Sequence, residues 1–227
     1  MSKKLMTGLL ALVALAAMAL PAAASASPEL TAPTGTTAAT GTKIQATNVG
    51  VTKFIASGLT VECSIDKLTG TLTKNNGTEI DETIESASFK GTSGTGEECS
   101  SPYGAFNMTT NVGNGTPWCL RALQSFANAD EFQIRGNSCT NAPRGLTFVM
   151  DFPEMSCQYQ RTTTTGLIKG GFATDPEDAI LTITLANSQF VGETGNPPLC
   201  PGSFALETKF TMETDPTAGS TSPFYLS

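Results

Sequence analysis

The sequence contains no histidine among its 227 residues, and this absence excludes several classes of enzyme. Triad-type serine and cysteine hydrolases use an imidazole as general base, and the zinc-protease motifs use imidazoles as metal ligands. An S-x-x-K spacing at Ser64 and Lys67 stands alone, because the companion S-D-N and K-T-G motifs of penicillin-recognising enzymes do not occur. Much of the chemistry that hydrolases use is therefore excluded.

Closely spaced cysteines are absent as well. The nearest two of the six, Cys139 and Cys157, are 18 positions apart, whereas structural zinc sites favour cysteine pairs separated by two to four residues. The spacing therefore disfavours a cysteine-bound metal and favours disulfides.

Positive charge is sparse, with 13 Lys plus Arg against 20 Asp plus Glu and a net charge of −7. Loss of an N-terminal segment that carries Lys3 and Lys4 leaves 11 basic residues and makes the balance more acidic. Nucleic acids and anionic membranes attract clustered Lys and Arg, and no such cluster occurs. We therefore expect neither as a partner.

Long apolar runs are limited to one, "LMTGLLALVALAAMAL", which follows Lys3 and Lys4 and precedes Ala24-Ser25-Ala26. This order of charge, apolar run and small-x-small site predicts a secretory signal peptide over residues 1–26, cleaved after Ala26. A run of about 16 residues is short for a permanent membrane helix. We therefore expect a secreted, extracellular protein with no membrane span after cleavage.

The remainder divides into a leader and one domain. Residues 27–42 are rich in Pro, Thr, Ala and Gly without any period, which predicts a flexible leader. Residues 43–227 are long enough for one all-β domain.

Alternation with a period of two dominates this domain and indicates half-buried antiparallel strands. Four stretches share the pattern, at 59–63, 146–152, 181–185 and 204–212. Their apolar faces contain, in the same order, Leu59, Val61 and Cys63, then Leu146, Phe148, Met150 and Phe152, then Leu181, Ile183 and Leu185, and finally Phe204, Leu206, Phe210 and Met212. Turn signals separate such runs at the spacing of an all-β sandwich or barrel. We predict an antiparallel β-sandwich or jelly-roll-like fold. The segment "CLRALQSF" fits a strand or a short helix equally well.

Two stretches of the domain resemble each other. Cys63, "LTGTLTK", Phe89 and Cys99 recur as Cys157, "TTGLIKG", Phe190 and Cys200. An acidic turn is also expected in each stretch, formed by Glu79, Asp81 and Glu82 in the first and by Asp175, Glu177 and Asp178 in the second. The pattern suggests halves at 43–112 and 143–215 with an insertion at 113–142.

The cysteine connectivity follows from this repeat. Six cysteines allow 15 pairings, and equivalent cysteines in two repeated halves should pair equivalently. The prediction is therefore Cys63 with Cys99, Cys157 with Cys200, and Cys119 with Cys139.

Carboxylates and aromatics supply the remaining candidate sites. Glycoside hydrolysis needs two acids at a suitable separation, and the candidates are Asp151, Glu154, Asp130 and Glu131. No organic cofactor is expected; calcium is a candidate ion at Asp175, Glu177 and Asp178, because dense oxygen ligands suit it. Trp118, Tyr103 and Tyr159 are candidates for stacking on sugar rings, although core packing is the more frequent role of aromatics in an all-β protein.

Five segments together, "SPELTAPTGT", "LTGTLTKN", "PWCLRA", "DEFQIRG" and "LTFVMDF", resemble a group of small secreted proteins of high-GC Gram-positive bacteria. The resemblance implies export and a β-rich fold, and it supplies no catalytic or binding residues.

These observations favour a secreted, non-enzymatic protein that binds an extracellular or cell-envelope polymer. One alternative is a polysaccharide hydrolase that acts through two carboxylates. Another is a purely structural coat component, in which an open strand edge pairs with a neighbouring chain.

Overall fold

A computed structural model describes most of the chain after the expected signal peptide. The described residues are 28–32, 34–56, 58–92, 97–112, 116–123, 131–142, 144–161, 168–175, 178–184, 188–216 and 222–226. The predicted signal peptide, Asp130, Glu177 and Leu185 lie outside these ranges.

Strands make up almost all of the regular structure in these ranges. In chain order they are β1 (Leu30–Thr31), β2 (Lys43–Asn48), β3 (Thr52–Ala56), β4 (Leu59–Cys63), β5 (Ile65–Asn75), β6 (Glu79–Lys90), β7 (Cys99–Ser101), β8 (Gly104–Thr110), β9 (Trp118–Leu123), β10 (Glu131–Gly136), β11 (Leu146–Phe152), β12 (Met155–Arg161), β13 (Ile168–Asp175), β14 (Asp178–Ile183), β15 (Gln189–Gly192), β16 (Ser203–Thr214) and β17 (Tyr225–Leu226).

The strand β16 closes the main sheet on itself. Its residue Phe210 pairs with Leu181 of β14 on one edge and with Asn48 of β2 on the other. Nearer its start, Ala205 pairs in the same way with β15 and β3. Because both edges of β16 are occupied, the described strands β2 to β16 form one closed antiparallel sheet.

Short strands continue one another around this sheet. Counted over their described residues, they form eight antiparallel runs: 43–56, 59–75, 79–101, 104–123, 131–152, 155–175, 178–192 and 203–214. Each run pairs with the next one in the sequence, and the last pairs with the first. The connections 102–103, 153–154 and 193–202 therefore lie at one end of the sheet, together with Gly58 before β4, and the turn 76–78 lies at the other.

The alternation of apolar residues determines which face of the sheet is buried. The predicted apolar faces of β4, β11, β14 and β16 are buried at their described positions, except that Phe152 at the end of β11 is only half-buried. The ring of Phe148 contacts rings from several other strands: Phe54, Phe89, Trp118, Phe190 and Phe204, at centroid distances of 4.9 to 6.1 Å. Opposite walls of the single sheet thus pack face to face, which confirms the predicted all-β antiparallel class.

Two local expectations are settled by the strands themselves. The segment around Cys119 is the strand β9, paired with β6 on one side and β10 on the other, rather than a helix. Glu79, Asp81 and Glu82 lie in β6 instead of forming an acidic turn, because the turn comes earlier at 76–78. There the side-chain oxygen of Asn76 accepts hydrogen bonds from the backbone N–H groups of Thr78 and Glu79.

The segment predicted as a flexible leader follows a defined path over its described residues, 28–32 and 34–42. Leu30 is fully buried, and its strand β1 pairs with β17 near the C-terminus. The Asn75 side chain accepts a hydrogen bond from the N–H of Leu30 at 2.9 Å and donates to the carbonyl oxygens of Leu30 and Ala38 at 2.7 and 3.0 Å. This departure from the composition-based expectation arises because one apolar residue and one distant amide fix the segment.

All six cysteines lie in the described part of the chain, and their pairing confirms the predicted connectivity. The disulfides join Cys63 to Cys99, Cys119 to Cys139 and Cys157 to Cys200. Three disulfides are consistent with an oxidising, extracellular environment. The duplication that suggested this pairing, with its domain halves, stays a prediction.

Alkylation of the unreduced, denatured protein tests this connectivity. We expect no alkylated cysteine by mass spectrometry, and we expect each disulfide-linked peptide pair after proteolysis to match one of the three bonds, since none of the cysteines is free. A modified cysteine, or a peptide pair of another connectivity, would contradict it. Prior reduction supplies the positive control, with all six cysteines alkylated.

Candidate functional site

A groove opens at the end of the sheet where the connections 102–103, 153–154 and 193–202 lie; we call this end the groove end. The groove has a volume of about 490 Å³ and is lined by Tyr103, Phe152, Pro153, Glu154, Met155 and Leu199. A second depression of about 300 Å³ shares Tyr103 and Leu199 and continues along 198–203 to Leu59. Volumes in this range suit small ligands or short polymer segments.

Two large side chains on the walls of the groove face solvent. Tyr103 is 72% exposed and Leu199 is 81% exposed, the two highest values among the large apolar side chains described as exposed. Exposed apolar groups that gather in one concavity, rather than being scattered singly, are typical of binding surfaces. The groove is therefore the strongest candidate functional site in the described part of the chain.

Tyr103 is held by a tight turn between β7 and β8. Its N–H donates to the hydroxyl oxygen of Ser101 at 3.1 Å, and that hydroxyl donates to the carbonyl oxygen of Gly104 at 2.8 Å. Gly104 has a φ of 112°, a conformation that favours glycine. The disulfide between Cys63 and Cys99 fixes the start of β7 just before this turn.

Leu199 belongs to the loop 193–202, which is anchored on both sides. Cys200 is bonded to Cys157 of β12. The Asn196 side chain donates to the carbonyl oxygen of Gln158 at 2.7 Å and accepts from the N–H of Gln158 at 2.9 Å. The loop is thus fastened to the wall of the sheet, so the groove is largely preformed.

The apolar floor of the groove continues the core. The ring of Phe152 stacks on that of the buried Phe106 with centroids 5.0 Å apart. Phe152 and Met155 face each other across the two-residue connection Pro153–Glu154 that joins β11 to β12. Core packing on one side therefore supports the surface that the groove presents on the other.

Acidic residues outnumber basic residues around this site. The segments 58–63, 99–110, 146–160 and 189–207 contain five acids, Glu62, Asp151, Glu154, Glu193 and Glu207, and no Lys or Arg. Lys53 on the adjoining β3 lies opposite both Glu62 and Glu207 in the strand register. The groove end is consequently negative.

The carboxylates proposed from sequence are only partly brought together. Glu154 lines the groove, whereas Asp151 is a strand residue of β11 that pairs with Ser156 and Asn107 and is not one of the described lining residues. Glu131 begins β10, at the opposite end of the run 131–152 from Asp151, and Asp130 lies outside the described residues. Glycosidase carboxyls lie within about 10 Å of each other, so Glu131 cannot pair with either acid near the groove.

The three candidate aromatics separate into two roles. Trp118 and Tyr159 are buried, and the Trp118 indole N–H donates to the side-chain oxygen of Asn111 at 2.9 Å. Burial raises the pKa of Tyr159 to about 12. Core packing is confirmed for both, while Tyr103 alone of the three is exposed.

The calcium candidates stay a prediction. Asp175 and Asp178 are register partners at the ends of β13 and β14. Glu177 and the side chains of both aspartates lie outside what the structure describes.

One cluster of potential metal ligands is committed to other bonds. The carboxylate of Asp81 lies within 4.8 Å of the sulfurs of Cys119 and Cys139, but these sulfurs form a disulfide. The Arg121 guanidinium donates two hydrogen bonds to the carboxylate oxygens of Asp81, from Nε at 2.6 Å and from Nη2 at 2.7 Å. This arrangement is an ion pair beside a disulfide and leaves no thiolate for a metal.

Two further acids, which sequence reasoning did not single out as sites, lie in the core. Glu82 is 2% exposed, and its Oε1 lies where a Cβ on Gly70 would come within 2.6 Å. Burial, with a smaller effect of the nearby Glu85, raises the pKa of Glu82 to about 8. Asp66 is equally buried, and desolvation raises its pKa to about 6, against hydrogen bonds from Thr52 and the Lys90 backbone.

None of the described residues forms a helix long and apolar enough to span a membrane. Comparisons with family models, curated proteins and solved structures gave no match to this chain. The geometry of the groove is therefore the guide to function.

Proposed function

We propose that this chain is a secreted, non-enzymatic binding protein that holds a segment of an extracellular or cell-envelope polymer in the groove. The observation that carries the proposal is the pairing of two highly exposed side chains, Tyr103 and Leu199, across an apolar floor. Export through the signal peptide 1–26 accounts for the oxidised cysteines, and the acidic charge argues against nucleic acid as the polymer.

Preorganisation supports binding as the role of this surface. Ordering a loop upon binding subtracts from affinity, whereas a loop that is already fixed avoids that loss. Both walls of the groove are fixed before any ligand arrives, by the turn at Ser101 and by the clasp between Asn196 and Gln158. A tyrosine held in this way can offer a flat face to the rings of a polymer.

A hydrolase receives less support from the same geometry. Hydrolysis of a glycosidic bond needs a second carboxyl beside the first, and Glu154 is the one acid among the described residues that line the groove. Binding without cleavage is the function that this set of side chains supports best.

Sedimentation with isolated envelopes of the producing organism and with insoluble polysaccharides tests the proposal. We expect saturable retention of the oxidised protein, and we expect Tyr103→Ala to weaken it roughly fivefold to tenfold, since an aromatic stacking contact contributes about 1 to 1.5 kcal/mol. Val191→Ala is the matched control, because Val191 is 49% exposed and does not line the groove. Equal retention of both variants, or no retention of the wild type on any material, would refute the proposed function.

A further inference from the structure

We infer that the groove selects polymers with free amino groups, of which a partly or fully deacetylated aminosugar polysaccharide is the chemical class. This inference rests on the proposed function and concerns the ligand of the same site. It is carried by the charge of the groove end together with the exposed tyrosine on its wall.

The charge is asymmetric in a way that net composition alone does not produce. The segments 58–63, 99–110, 146–160 and 189–207 contribute five acids and no Lys or Arg, and the adjoining β3 adds one cation, Lys53, opposite Glu62 and Glu207. Among the described ion pairs, the cations are Lys43, Lys74, Lys90 and Arg121, which belong to β2, β5, β6 and β9. Arg161 at the end of β12 is buried and donates to the carbonyl oxygen of Gln189, so it does not line the groove. A ligand that approaches the groove therefore meets a negative field.

Two side chains of the groove match an amino-bearing ring. The Tyr103 face can contact the apolar face of a sugar ring and attract an ammonium group through its π system. The Glu154 carboxylate on the same groove can accept a charge-assisted hydrogen bond from that ammonium. Apolar contact from Phe152, Met155 and Leu199 completes the surface for an otherwise uncharged chain.

The same arrangement disfavours anionic polymers. A phosphate-containing or uronic acid polymer would bring negative charge next to Glu154, with no Lys or Arg among the described lining residues. Like charges placed together cost affinity and discriminate against the wrong partner. Selection thus has both an attractive and a repulsive component.

A matched pair of matrices tests the inference. Chitosan beads present free amino groups, and the same beads after chemical N-acetylation present the same backbone without them. We expect the oxidised protein to bind chitosan at moderate salt and to bind the acetylated beads at least roughly tenfold more weakly. Glu154→Gln should weaken chitosan binding by a similar factor and leave the weak binding to acetylated beads unchanged.

Glu85→Gln is the charge-matched control. Glu85 is half-exposed on β6, pairs with Lys43 at 2.9 Å, and lies outside the groove. It should bind chitosan like the wild type. An equal loss in Glu85→Gln and Glu154→Gln would show attraction by net charge alone and would overturn the inference.

The remaining outcomes separate the inference from the proposed function. Equal binding of the wild type to both matrices, lost in Tyr103→Ala, would overturn the selection for amino groups while leaving the groove as a polymer site. Absence of binding to both matrices, together with retention on envelopes, would likewise overturn the selection for amino groups and leave the groove as a polymer site. Absence of retention on all of these materials would refute the proposed function itself.

Discussion

Raising the pH from 4.5 to about 8 should lower the free energy of unfolding of the oxidised protein by several kcal/mol, and Glu82→Gln should remove most of that loss. The reason is the carboxyl of Glu82, which is buried in the core beside Gly70. Ionisation there places an uncompensated charge in an apolar interior.

The direction follows from the two pKa values. Burial raises the pKa of Glu82 from 4.5 to about 8 in the folded state. Between these values the folded chain holds a proton that the unfolded chain has released, so stability falls as pH rises, by at most about 1.4 kcal/mol per pH unit. The stabilisation that depends on the proton held by folded Glu82 is complete below pH 4.5 and lost above about pH 8. Asp66 has a pKa raised from 3.8 to about 6, so it adds a further loss of stability as the pH rises between these two values.

Urea denaturation at a series of pH values measures the effect. Asp66→Asn should flatten only the part of the profile below about pH 6, since its pKa is raised less. Glu85→Gln is the exposed control: hydrogen bonds from Thr71 and Lys43 lower the pKa of Glu85 itself. It should reduce the decline above that pH only slightly, because the charge of Glu85 is the smaller of the two causes that raise the pKa of Glu82. A wild-type profile that is flat from pH 4.5 to 8 would contradict the prediction.

The burial of Glu82 was already readable from the alternation of residues in β6. Ile80, Glu82 and Ile84 alternate on one face of β6 and are all buried. Read with a period of two, this places a carboxyl on a core face. The competing interpretation of a local acidic turn obscured it, because a dense group of acids more often marks a solvated turn than a strand.

The cysteine connectivity could be predicted because two stretches of the sequence resemble each other and equivalent cysteines were expected to pair equivalently. The matching order of Cys63, Phe89 and Cys99 in one stretch and of Cys157, Phe190 and Cys200 in the other was readable without knowledge of the sheet. Strand alternation likewise identified the buried faces, since period two is a local property. Closure of the sheet on β16 was not predictable in this way, because it depends on register between runs that are distant in the sequence.

The groove was predictable only in pieces. Tyr103 and Glu154 were separate candidates, one for stacking and one for catalysis, and Leu199 was not a candidate at all. They occur on three different connections that closure of the sheet brings to one end. A leucine within the turn-forming segment "NPPLCPG" was the available signal, since a large apolar side chain in such a turn has no core to enter.

The segment before β2 was misjudged for a related reason. Its composition is that of a linker, and the groups that fix Leu30 are the Asn75 amide and the strand β17, both distant in the sequence. Local composition carries no information about either partner.

Replacing Arg121 by alanine should destabilise the protein by about 3 kcal/mol or more, the expected magnitude when a buried carboxylate loses its partner. Asp81 is 1% exposed, and Arg121 donates two hydrogen bonds to it. Arg121 also donates at 3.0 Å to the carbonyl oxygen of Cys139. This hydrogen bond, together with the disulfide to Cys119, holds the segment that follows β10 against the sheet. Lys74, 3.6 Å from Asp81 and half-exposed, compensates only in part.

Lys43→Ala is the matched control for Arg121→Ala, because it removes a cation from a pair with Glu85 in which both side chains are about half-exposed. Such surface pairs contribute about 1 kcal/mol or less. The double variant Asp81→Leu/Arg121→Leu should recover much of the loss, since it removes the unpaired charge together with its partner. Thermal and urea unfolding of the oxidised variants measure these differences. An Arg121→Ala loss no greater than that of Lys43→Ala would mean that water reaches Asp81, so that the burial of its carboxylate does not govern the free energy of the pair.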